Sequence, residues 1–248
     1  MSTSDSAPQP STVSTTAHPD PARPGVGAPM FSTWRVGTPE RQRTVADAIA
    51  ATWEKRPWPA PDLLSYGIYA AADGDTLMHY SQWTSEEAYF AFFHNHRQER
   101  NDEIDAAVPG IERVGLSRYR LYRSHVPDPV RRAATEPGLI VTVDIHFDAA
   151  TAGRRTEWID TVIGALDEGA EEHRELLGAH FHLLENGAKH LGSAADRVLN
   201  YAEWTSEEAY ETAQGADRPG WHRVRDFPGH RQVTGTRYRL LRHLTPRG

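Results

Sequence analysis

The chain has 248 residues, of which 38% are hydrophobic and 25% are charged, and its formal net charge is −7 at pH 7. No stretch approaches the roughly 18 consecutive apolar residues of a membrane-spanning helix, so we expect a soluble protein with no membrane partner. The negative charge gives no electrostatic basis for binding nucleic acid. The absence of cysteine excludes disulfides, thiolate catalysis and cysteine-held zinc or iron–sulfur centres.

The first 28 residues are mostly Ser, Thr, Pro, Ala and Gly, with almost no large apolar side chains. Such a segment cannot bury enough surface to offset the entropy lost on ordering, so residues 1–28 are predicted to be a disordered tail. The segment also has no apolar stretch of the kind found in secretory signals, which favours a cytoplasmic location.

A ten-residue segment occurs twice in the chain. Tyr80–Tyr89 returns as Tyr201–Tyr210, with seven identical residues in a row, W-T-S-E-E-A-Y, in both copies. Each copy is followed by a similar strand sequence containing R-Y-R-L. The period is too long for a solenoid and indicates two domains of one ancestry, at 29–126 and 138–246, joined by a proline-rich linker at 127–137.

The first half reads as strand, helix, strand, strand, helix, strand. Apolar residues at helical spacing predict the first helix, three prolines end it, and a hairpin turn follows the next strand. The elements expected are a strand at Phe31–Val36, a helix at Thr38–Trp53, strands at Leu63–Ala70 and Thr76–Trp83, a helix from Thr84 and a strand at Gly110–Arg123.

The second half repeats this βαββαβ order. Such a unit forms a four-stranded antiparallel sheet with both helices on one face, the ferredoxin-like arrangement, and leaves the other face bare. Because a bare apolar sheet face needs a cover, we predict that the two sheets pack against each other and enclose a barrel-like cavity. The fold class expected is α+β, with two ferredoxin-like repeats forming an intramolecular dimeric α+β barrel.

The repeated W-T-S-E-E-A-Y segment supports two interpretations. In the structural one, Thr84 and Glu87 form a capping box at the start of the helix, and Trp83 packs on the first turn. In the functional one, the tryptophans that end these strands line the predicted cavity and contact a ligand. The residues alone do not decide between them.

The repeated strand-into-helix segment resembles the antibiotic biosynthesis monooxygenase superfamily of dimeric α+β barrels, and in particular its tandem members from aromatic polyketide pathways. The resemblance rests on Asn200–Tyr210, on the degenerate copy His79–Tyr89 and on the strand order, and it covers about residues 30–246. It implies oxidation of a polycyclic aromatic polyketide, as in the conversion of an anthrone or hydroquinone to a quinone during antibiotic biosynthesis. Dioxygen would be the cosubstrate, with no metal and no tightly bound cofactor.

The resemblance also implies site residues. The family's functional Asn and Trp match Asn200 and Trp204, whose even spacing puts both on one face of a strand. An aromatic hydroxyl six residues after the Trp is matched by Tyr210. In the first half the corresponding positions are His79, Trp83 and Tyr89, so only the second half keeps the complete pattern.

The chemistry accounts for these residue types. Dioxygen reacts slowly with closed-shell organic molecules unless deprotonation makes them electron-rich. An oxygenase of this kind therefore needs a dry cavity, neutral donors for the developing oxyanion and a proton acceptor. We expect Asn200 and Trp204 to be the donors, and Tyr210 or His79 to relay protons, since a histidine has an ordinary pKa near ~6.5.

A second polar group is predicted from histidines in the second half. His180 and His182 share one face of a strand, and His146 ends another strand with Asp144 in step with it. They are interpreted either as a polar wall that contacts substrate, together with Tyr69 at the matching position of the first half, or as a zinc or iron site. The family resemblance favours the metal-free alternative.

Two other function classes remain open at this stage. One is a non-catalytic binder of a hydrophobic intermediate, and the other is a haem-handling protein with His180 or His182 as the iron ligand. Within the oxygenase class, an alternative reaction is oxidative opening or contraction of an angucycline-type quinone ring with reduced flavin supplied by a separate flavin reductase. Two chains could also associate into a homodimer.

Overall fold

The computed structural model describes residues 10–185, 197–216 and 218–247. The strands are β1 (Thr12–Thr15), β2 (Ala28–Arg35), β3 (Leu63–Ala71), β4 (Thr76–Trp83), β5 (Glu112–His125), β6 (Leu139–Phe147), β7 (Leu176–Leu184), β8 (Arg197–Trp204) and β9 (His230–Pro246). The helices are α1 (Pro39–Glu54), α2 (Glu86–Asn95), α3 (Arg97–Ala107), α4 (Pro129–Ala134), α5 (Arg155–Glu168), α6 (Glu207–Gly215) and α7 (Trp221–Arg225), and a 3-10 turn (Ala149–Arg154) precedes α5. None of the helices in these ranges is long and apolar enough to cross a membrane.

Eight of the strands form a closed, antiparallel barrel. The order around the barrel is β3-β4-β2-β5-β7-β8-β6-β9, and the pairing of β9 with β3 closes it. The first four strands come from the first half of the chain and the last four from the second half. The fold is therefore α+β, and each half contains the predicted βαββαβ order. The second helix of the first half is divided into α2 and α3, and the second half has the additional short helix α7 between α6 and β9.

The barrel closes because β5 and β9 are longer than the other strands. The first part of β5 pairs with β2 in its own half, and its second part, Tyr119–His125, pairs with β7 of the other half. β9 does the same, pairing first with β6 and then with β3. The long strands thus satisfy the backbone groups at the edges of β3 and β7, which would otherwise be open to aggregation.

The interior of this barrel is filled with side chains. Tyr69, Tyr80 and Tyr201 are fully buried there, and Phe31 stacks on Tyr80 with ring centroids 4.6 Å apart. The Tyr69 and Tyr201 hydroxyls are hydrogen-bonded at 3.0 Å. The prediction of a cavity between the two sheets is therefore wrong. The residues of this interior cluster come from both halves, and they are large enough to fill the space that the sheets enclose.

The helices cover the outside of the barrel. In the first half, Ile49, Trp53 and Phe92 pack from α1 and α2 against the outer sheet face. In the second half, Trp158 and Val162 of α5 have the same role. The helices cover part of the outer sheet face, while Val114 of β5 and Val233 of β9 remain exposed. Each half has its own core between helix and sheet.

The structure also differs from the prediction of disorder for residues 1–28. From residue 10 onward the chain lies against the barrel, with β1 paired to the end of β9, while residues 1–9 lie outside the described part. The Ala17 carbonyl accepts a hydrogen bond from His243 Nδ1 at 2.7 Å, and the Asp20 carbonyl accepts one from Gln82 Nε2 at 2.7 Å. Backbone groups hold this segment, so it needs few apolar side chains, and composition alone therefore misjudges it.

The linker at 127–137 contains the short helix α4. Asp128 caps it by accepting hydrogen bonds from the backbone amides of Val130 and Arg131, both at 3.0 Å. Arg132, on the same helix, reaches Glu203 at the end of β8. The connection is thus fixed to the second half of the barrel rather than being a free spacer.

Candidate functional site

Two cavities lie between the outer sheet face and the helices, one in each half of the chain. The second-half cavity has a volume of about 390 Å³, and the first-half cavity has a volume of about 110 Å³. Small-molecule sites are usually about 300–1,000 Å³, so of these two cavities the second-half one is large enough for a multi-ring ligand.

Strand β8 places Asn200 and Trp204 on the wall of the second-half cavity. Side chains alternate along a strand, so Asn200, Ala202 and Trp204 face the helices, whereas Leu199 and Tyr201 face the barrel interior. The prediction that Asn200 and Trp204 share a face is confirmed. The cavity they line is the one under the helices, not one between the sheets.

The turn after Trp204 is fixed by a helix cap, although not by the one predicted. Ser206 accepts the hydrogen bond from the Ala209 amide at 3.0 Å, and Ser85 does the same in the first half. Thr205 instead donates from Oγ1 to Glu175 Oε2 at 2.8 Å. Because the Thr205 hydroxyl is bonded to the Glu175 carboxylate, Ser206, the next residue, caps the helix instead. Tyr210 then lies edge-on to Trp204, with ring centroids 5.4 Å apart.

Three tryptophans give the second-half cavity an aromatic wall. Trp204 comes from β8, Trp158 from α5 and Trp221 from α7. Apolar side chains such as Val162 and Leu166 of α5 complete this part of the wall. The surface suits a flat aromatic molecule, because large rings stack on or against each other edge to face.

Five polar atoms on the same wall have no hydrogen-bond partner among the described residues. They belong to side chains that line the cavity, and the atoms themselves are buried. They are Asn200 Oδ1, Trp158 Nε1, Trp204 Nε1, Trp221 Nε1 and His173 Nε2. Buried polar groups are nearly always hydrogen-bonded in proteins, so a cluster of unpaired ones around one cavity indicates a place where a ligand or water supplies the partner.

The charges around the cavity are positive. These charges come from Arg218 and Arg225, and no acidic residue is among the described residues that line the cavity. The Arg218 guanidinium lies over the Trp221 ring at 4.4 Å. Arginine on an aromatic face keeps its charge available to a ligand, so the cavity favours a neutral or anionic molecule over a cation.

The first-half cavity is built from the corresponding residues but is largely closed by them. His79 Nδ1 is 2.7 Å from the Tyr66 hydroxyl, and Trp83 Nε1 donates to Ser81 Oγ at 3.0 Å. Burial lowers the pKa of His79 to about 3, and the nearby Arg113 lowers it further in the same direction. His79 Nε2 has no hydrogen-bond partner among the described residues, but the low pKa keeps the ring neutral and makes it a weak proton acceptor.

Tyr89 completes this first-half set. It lies edge-on to Trp83 with ring centroids 5.6 Å apart, as Tyr210 does to Trp204. Both halves thus keep the same aromatic pair at the same step of the fold. The halves differ in that Trp83 Nε1 is hydrogen-bonded whereas Trp204 Nε1 has no partner among the described residues, and in that the second-half cavity is larger. Both differences favour the second half as a ligand site.

The remaining predicted substrate contacts do not line either of these two cavities. Tyr69, His180 and His182 point into the filled barrel interior, and all three are fully buried. His180 lies between Ser124 Oγ, at 2.9 Å from Nδ1, and Glu203 Oε2, at 3.3 Å from Nε2. His180 and His182 share one face of β7, as their spacing predicts. That face, like the face of β3 that carries Tyr69, points into the barrel interior rather than toward the helices.

His146 has different contact partners from His180 and His182. It lies on β6 with Nε2 3.6 Å from Asp144 Oδ1, and Asp144 is also paired with Arg197. Within the described ranges, no group of three or more His, Asp and Glu side chains has an arrangement that could hold a metal ion. The structure therefore does not bring His146, His180 and His182 together as one centre.

The haem alternative does not fit its predicted ligands. Both nitrogens of His180 have partners, and His182 Nδ1 is 3.0 Å from the His180 carbonyl, with its ring edge-on to Phe31. A planar macrocycle would have to displace the packed tyrosines of the barrel interior to reach either ring. The residues named for haem ligation thus hold the barrel together.

We predict that Tyr69→Phe affects stability rather than substrate affinity. The variant loses the hydrogen bond to the Tyr201 hydroxyl and leaves that hydroxyl buried without it, which costs about 1–2 kcal/mol of unfolding free energy. Denaturant unfolding measures this loss, and the KM for substrate is expected to stay within about twofold. A several-fold rise in KM with unchanged stability would contradict this prediction and would show that Tyr69 contacts the substrate.

Sequence reasoning missed three residues of the second-half cavity. These residues are Trp158 of α5, Trp221 of α7, and His173 in the acidic stretch E-E-H-R-E between α5 and β7. The available signal for all three was weak, because only the packing of α5 and α7 against the sheet brings them beside Trp204.

Comparison with known proteins supports the fold. No family model and no curated protein matches the sequence. Among solved structures, an anthrone oxidase-like protein has a TM-score of 0.61 at 12% identity, covering 87% of this chain and 92% of the other. A candidate monooxygenase from Fusobacterium nucleatum subsp. nucleatum has a TM-score of 0.57 at 9% identity, covering 89% and 95%. A candidate chlorite dismutase has a TM-score of 0.52 at 11% identity, covering 86% and 93%.

At these identities the similarity concerns the fold alone. It extends over nearly the whole length of each protein, so the chain shares an α+β, ferredoxin-like architecture with structures named for oxygenase and dismutase activities. Because structures with this fold are named for different activities, the activity of this chain has to be inferred from its own candidate site.

Proposed function

We propose that this protein is an oxygenase that uses dioxygen to oxidise a polycyclic aromatic polyketide, of the anthrone or hydroquinone to quinone type, during antibiotic biosynthesis. The reaction takes place in the second-half cavity, between β8 and the helices α5, α6 and α7. Similarity in fold to an anthrone oxidase-like protein and to a candidate monooxygenase is consistent with this assignment. The repeated sequence motif further supports an origin of the two halves by tandem duplication of one βαββαβ unit.

The observation that carries the proposal is the set of unpaired polar atoms on an aromatic wall. Three indole N–H groups and the acceptor Asn200 Oδ1 belong to the lining of one cavity of about 390 Å³ and have no partners among the described residues. A phenolic polycycle fits this arrangement, because its ring faces pack on the tryptophans while its oxygens accept hydrogen bonds from the N–H groups.

The reaction converts a ring CH₂ group and dioxygen into a ketone and water. Loss of a proton from the enol form leaves an electron-rich anion, which transfers one electron to dioxygen. The radical and superoxide combine to a peroxide at the ring carbon. Loss of the remaining C–H proton then breaks the O–O bond, and hydroxide leaves as water after protonation.

The residues of the second half have definite parts in this scheme. Trp204 Nε1 and Asn200 Nδ2 donate hydrogen bonds to the oxyanion that forms when the substrate is deprotonated, and the unpaired Asn200 Oδ1 accepts one from a neighbouring phenolic hydroxyl of the substrate. Tyr210 packs edge-on against the Trp204 ring and thereby fixes the orientation of that ring. The cavity under the helices excludes most water, which strengthens these hydrogen bonds and protects the peroxide.

Dioxygen is the cosubstrate in this proposal, and no tightly bound cofactor is required. In the alternative reaction, ring opening or contraction of a quinone, reduced flavin from a separate reductase would provide the electrons. Adding reduced flavin to the assay distinguishes the two. Turnover of an anthrone without flavin supports the first reaction, and turnover of a quinone that starts only with reduced flavin supports the second.

Oxygen uptake with 1,8-dihydroxyanthrone tests the proposal. We expect the protein to consume one dioxygen per anthrone and to form the anthraquinone faster than the uncatalysed reaction. A non-catalytic binder would instead quench tryptophan fluorescence on titration, because three tryptophans line the cavity, but it would not consume oxygen above the background. Quenching without oxygen uptake across a series of anthrones and hydroquinones would contradict the proposal.

A further inference from the structure

We propose that His173 is the proton acceptor of the second-half site, taking the phenolic or enolic proton of the substrate on Nε2. This inference rests on the proposed function, and it adds a catalytic residue from outside the repeated motif. His173 lies between α5 and β7, is 3% exposed and lines the second-half cavity.

Its tautomer is fixed by the backbone. His173 Nδ1 lies 2.7 Å from the Gly169 carbonyl oxygen, and a carbonyl can only accept, so Nδ1 carries the hydrogen. A neutral imidazole with a proton on Nδ1 has its free lone pair on Nε2. Nε2 has no hydrogen-bond partner among the described residues, so this lone pair is available to a ligand.

The ring lies beside the predicted oxyanion donor. Its centroid is 6.4 Å from that of Trp204 and 5.9 Å from that of Trp221. Gly169 occupies the Nδ1 side, where an added Cβ would already be 3.1 Å from the ring. Gly169 therefore restrains one side of the imidazole ring, and His173 and Trp204 line the same cavity.

The surroundings keep His173 neutral until it takes a proton. Burial lowers its pKa, the hydrogen bond to Gly169 raises it, Arg218 lowers it and Glu172 raises it, with a net decrease from the ordinary value. His125, at the end of β5, also faces this region. The unprotonated form thus predominates at neutral pH, which is the form that a proton acceptor needs.

The proton transfer balances without a further reactant. The substrate O–H bond breaks with its electron pair remaining on oxygen, and a new N–H bond forms at Nε2. The resulting imidazolium stays next to the anion it has produced, and its Nδ1–H bond to the Gly169 carbonyl becomes stronger because the ring is charged. After dioxygen has reacted, the same proton returns to the oxygen that leaves as water.

His230 is a suitable control for this role. It also lines the cavity, and its Nδ1 is likewise 2.7 Å from a carbonyl, that of Phe227. However, His230 is only half-buried and lies at the start of β9. Among the described residues, the His173 ring contacts the Trp204 ring, whereas the His230 ring does not. The two histidines therefore match in tautomer and differ in burial and position.

The test uses 1,8-dihydroxyanthraquinone, a phenolic probe that cannot be oxidised further in this reaction. Visible absorption distinguishes its phenol from its phenolate, so the apparent pKa of the bound probe is measured directly in wild type, His173→Gln and His230→Gln. We expect His173→Gln to bind the probe but to raise its apparent pKa by about one unit or more, because the imidazolium that stabilises the anion is lost. Because His230 also lines the cavity, His230→Gln is expected to shift the apparent pKa of the probe as well, but by clearly less than His173→Gln does.

Turnover gives a second measurement. His173→Ala is expected to lower kcat with the anthrone by about 100-fold or more, and added imidazole is expected to restore part of it in proportion to the free-base concentration. Thermal unfolding of each variant checks that the fold is retained. A purely structural role would not give rescue by imidazole.

The outcomes separate this inference from the proposed function. Probe binding with the same apparent pKa in wild type and His173→Gln overturns the inference alone, as does a His173→Ala variant with nearly normal turnover. Equal effects of His230→Gln also overturn it. A shifted probe pKa in His173→Gln, together with a wild type that consumes no oxygen with any anthrone, supports the inference and contradicts the proposed function. Absence of probe binding contradicts both.

Discussion

Trp204→Phe is expected to lower kcat with 1,8-dihydroxyanthrone by about 100-fold while leaving the protein folded. Trp204 Nε1 is buried on the cavity wall without a partner, and removing one preorganised donor to an oxyanion typically costs about 10²–10³ in rate. Phenylalanine keeps an aromatic ring at this position, so the KM is expected to change much less than kcat. Steady-state oxygen uptake and circular dichroism measure the two effects.

Trp83→Phe is the matched control, because Trp83 has the same place in the first half. Its Nε1 already donates to Ser81 Oγ at 3.0 Å, and the cavity beside it is only about 110 Å³. We expect nearly normal kcat in this variant. If Trp83→Phe lost turnover and Trp204→Phe kept it, the productive site would be in the first half.

Glu203→Gln is expected to destabilise the protein by about 3 kcal/mol or more. Glu203 is fully buried, and its carboxylate accepts a hydrogen bond from Arg132 Nη2 at 2.8 Å and lies 3.3 Å from His180 Nε2. Removing one charge from a buried ion pair leaves the other uncompensated, which typically costs about 3–5 kcal/mol. Urea unfolding measures the change in unfolding free energy.

Glu175→Gln is the control for this variant. Glu175 pairs with Arg131 of the same short helix but is about one-third exposed, so its loss is expected to cost no more than about 1 kcal/mol. An equal loss in both variants would show that burial of the Glu203 pair is not what makes it important.

The pH dependence of stability follows from the same pair. Burial by itself raises the pKa of Glu203, but hydrogen bonds and charges from His180 and Arg132 outweigh it and lower the pKa below the ordinary value. The contribution of Glu203 is therefore fully present above the ordinary glutamate pKa of about 4.3 and is lost as the pH falls through the lower, folded value. Below pH 4, wild type should lose stability more steeply than Glu203→Gln.

The sequence was sufficient for the element order and for the shared face of Asn200 and Trp204. Helical spacing of apolar residues and period-two alternation are local properties, and the duplicated segment made each half support the other. The side of the sheet that carries the cavity was predicted wrongly. Every residue of β7, Leu176–Leu184, is buried, so alternation along it does not show which face meets helices and which meets the barrel.

The remaining errors have the same kind of cause. Ser206 and Thr205 are both good helix caps, and only the position of Glu175 on another segment decides between them. Residues 10–28 are poor in apolar side chains, yet β9 offers an edge on which their backbone pairs. His173 depends on a carbonyl four residues earlier and on two tryptophans far away in the sequence. Long-range packing settles each of these points.

A crystal structure with a bound hydroxyanthraquinone tests the central claim most directly. The claim predicts the ligand under α5, α6 and α7, with a ring oxygen within hydrogen-bond distance of Trp204 Nε1 and its rings against Trp158 or Trp221. A ligand in the first-half cavity beside His79 and Trp83, or inside a barrel whose tyrosines had moved apart, would contradict it.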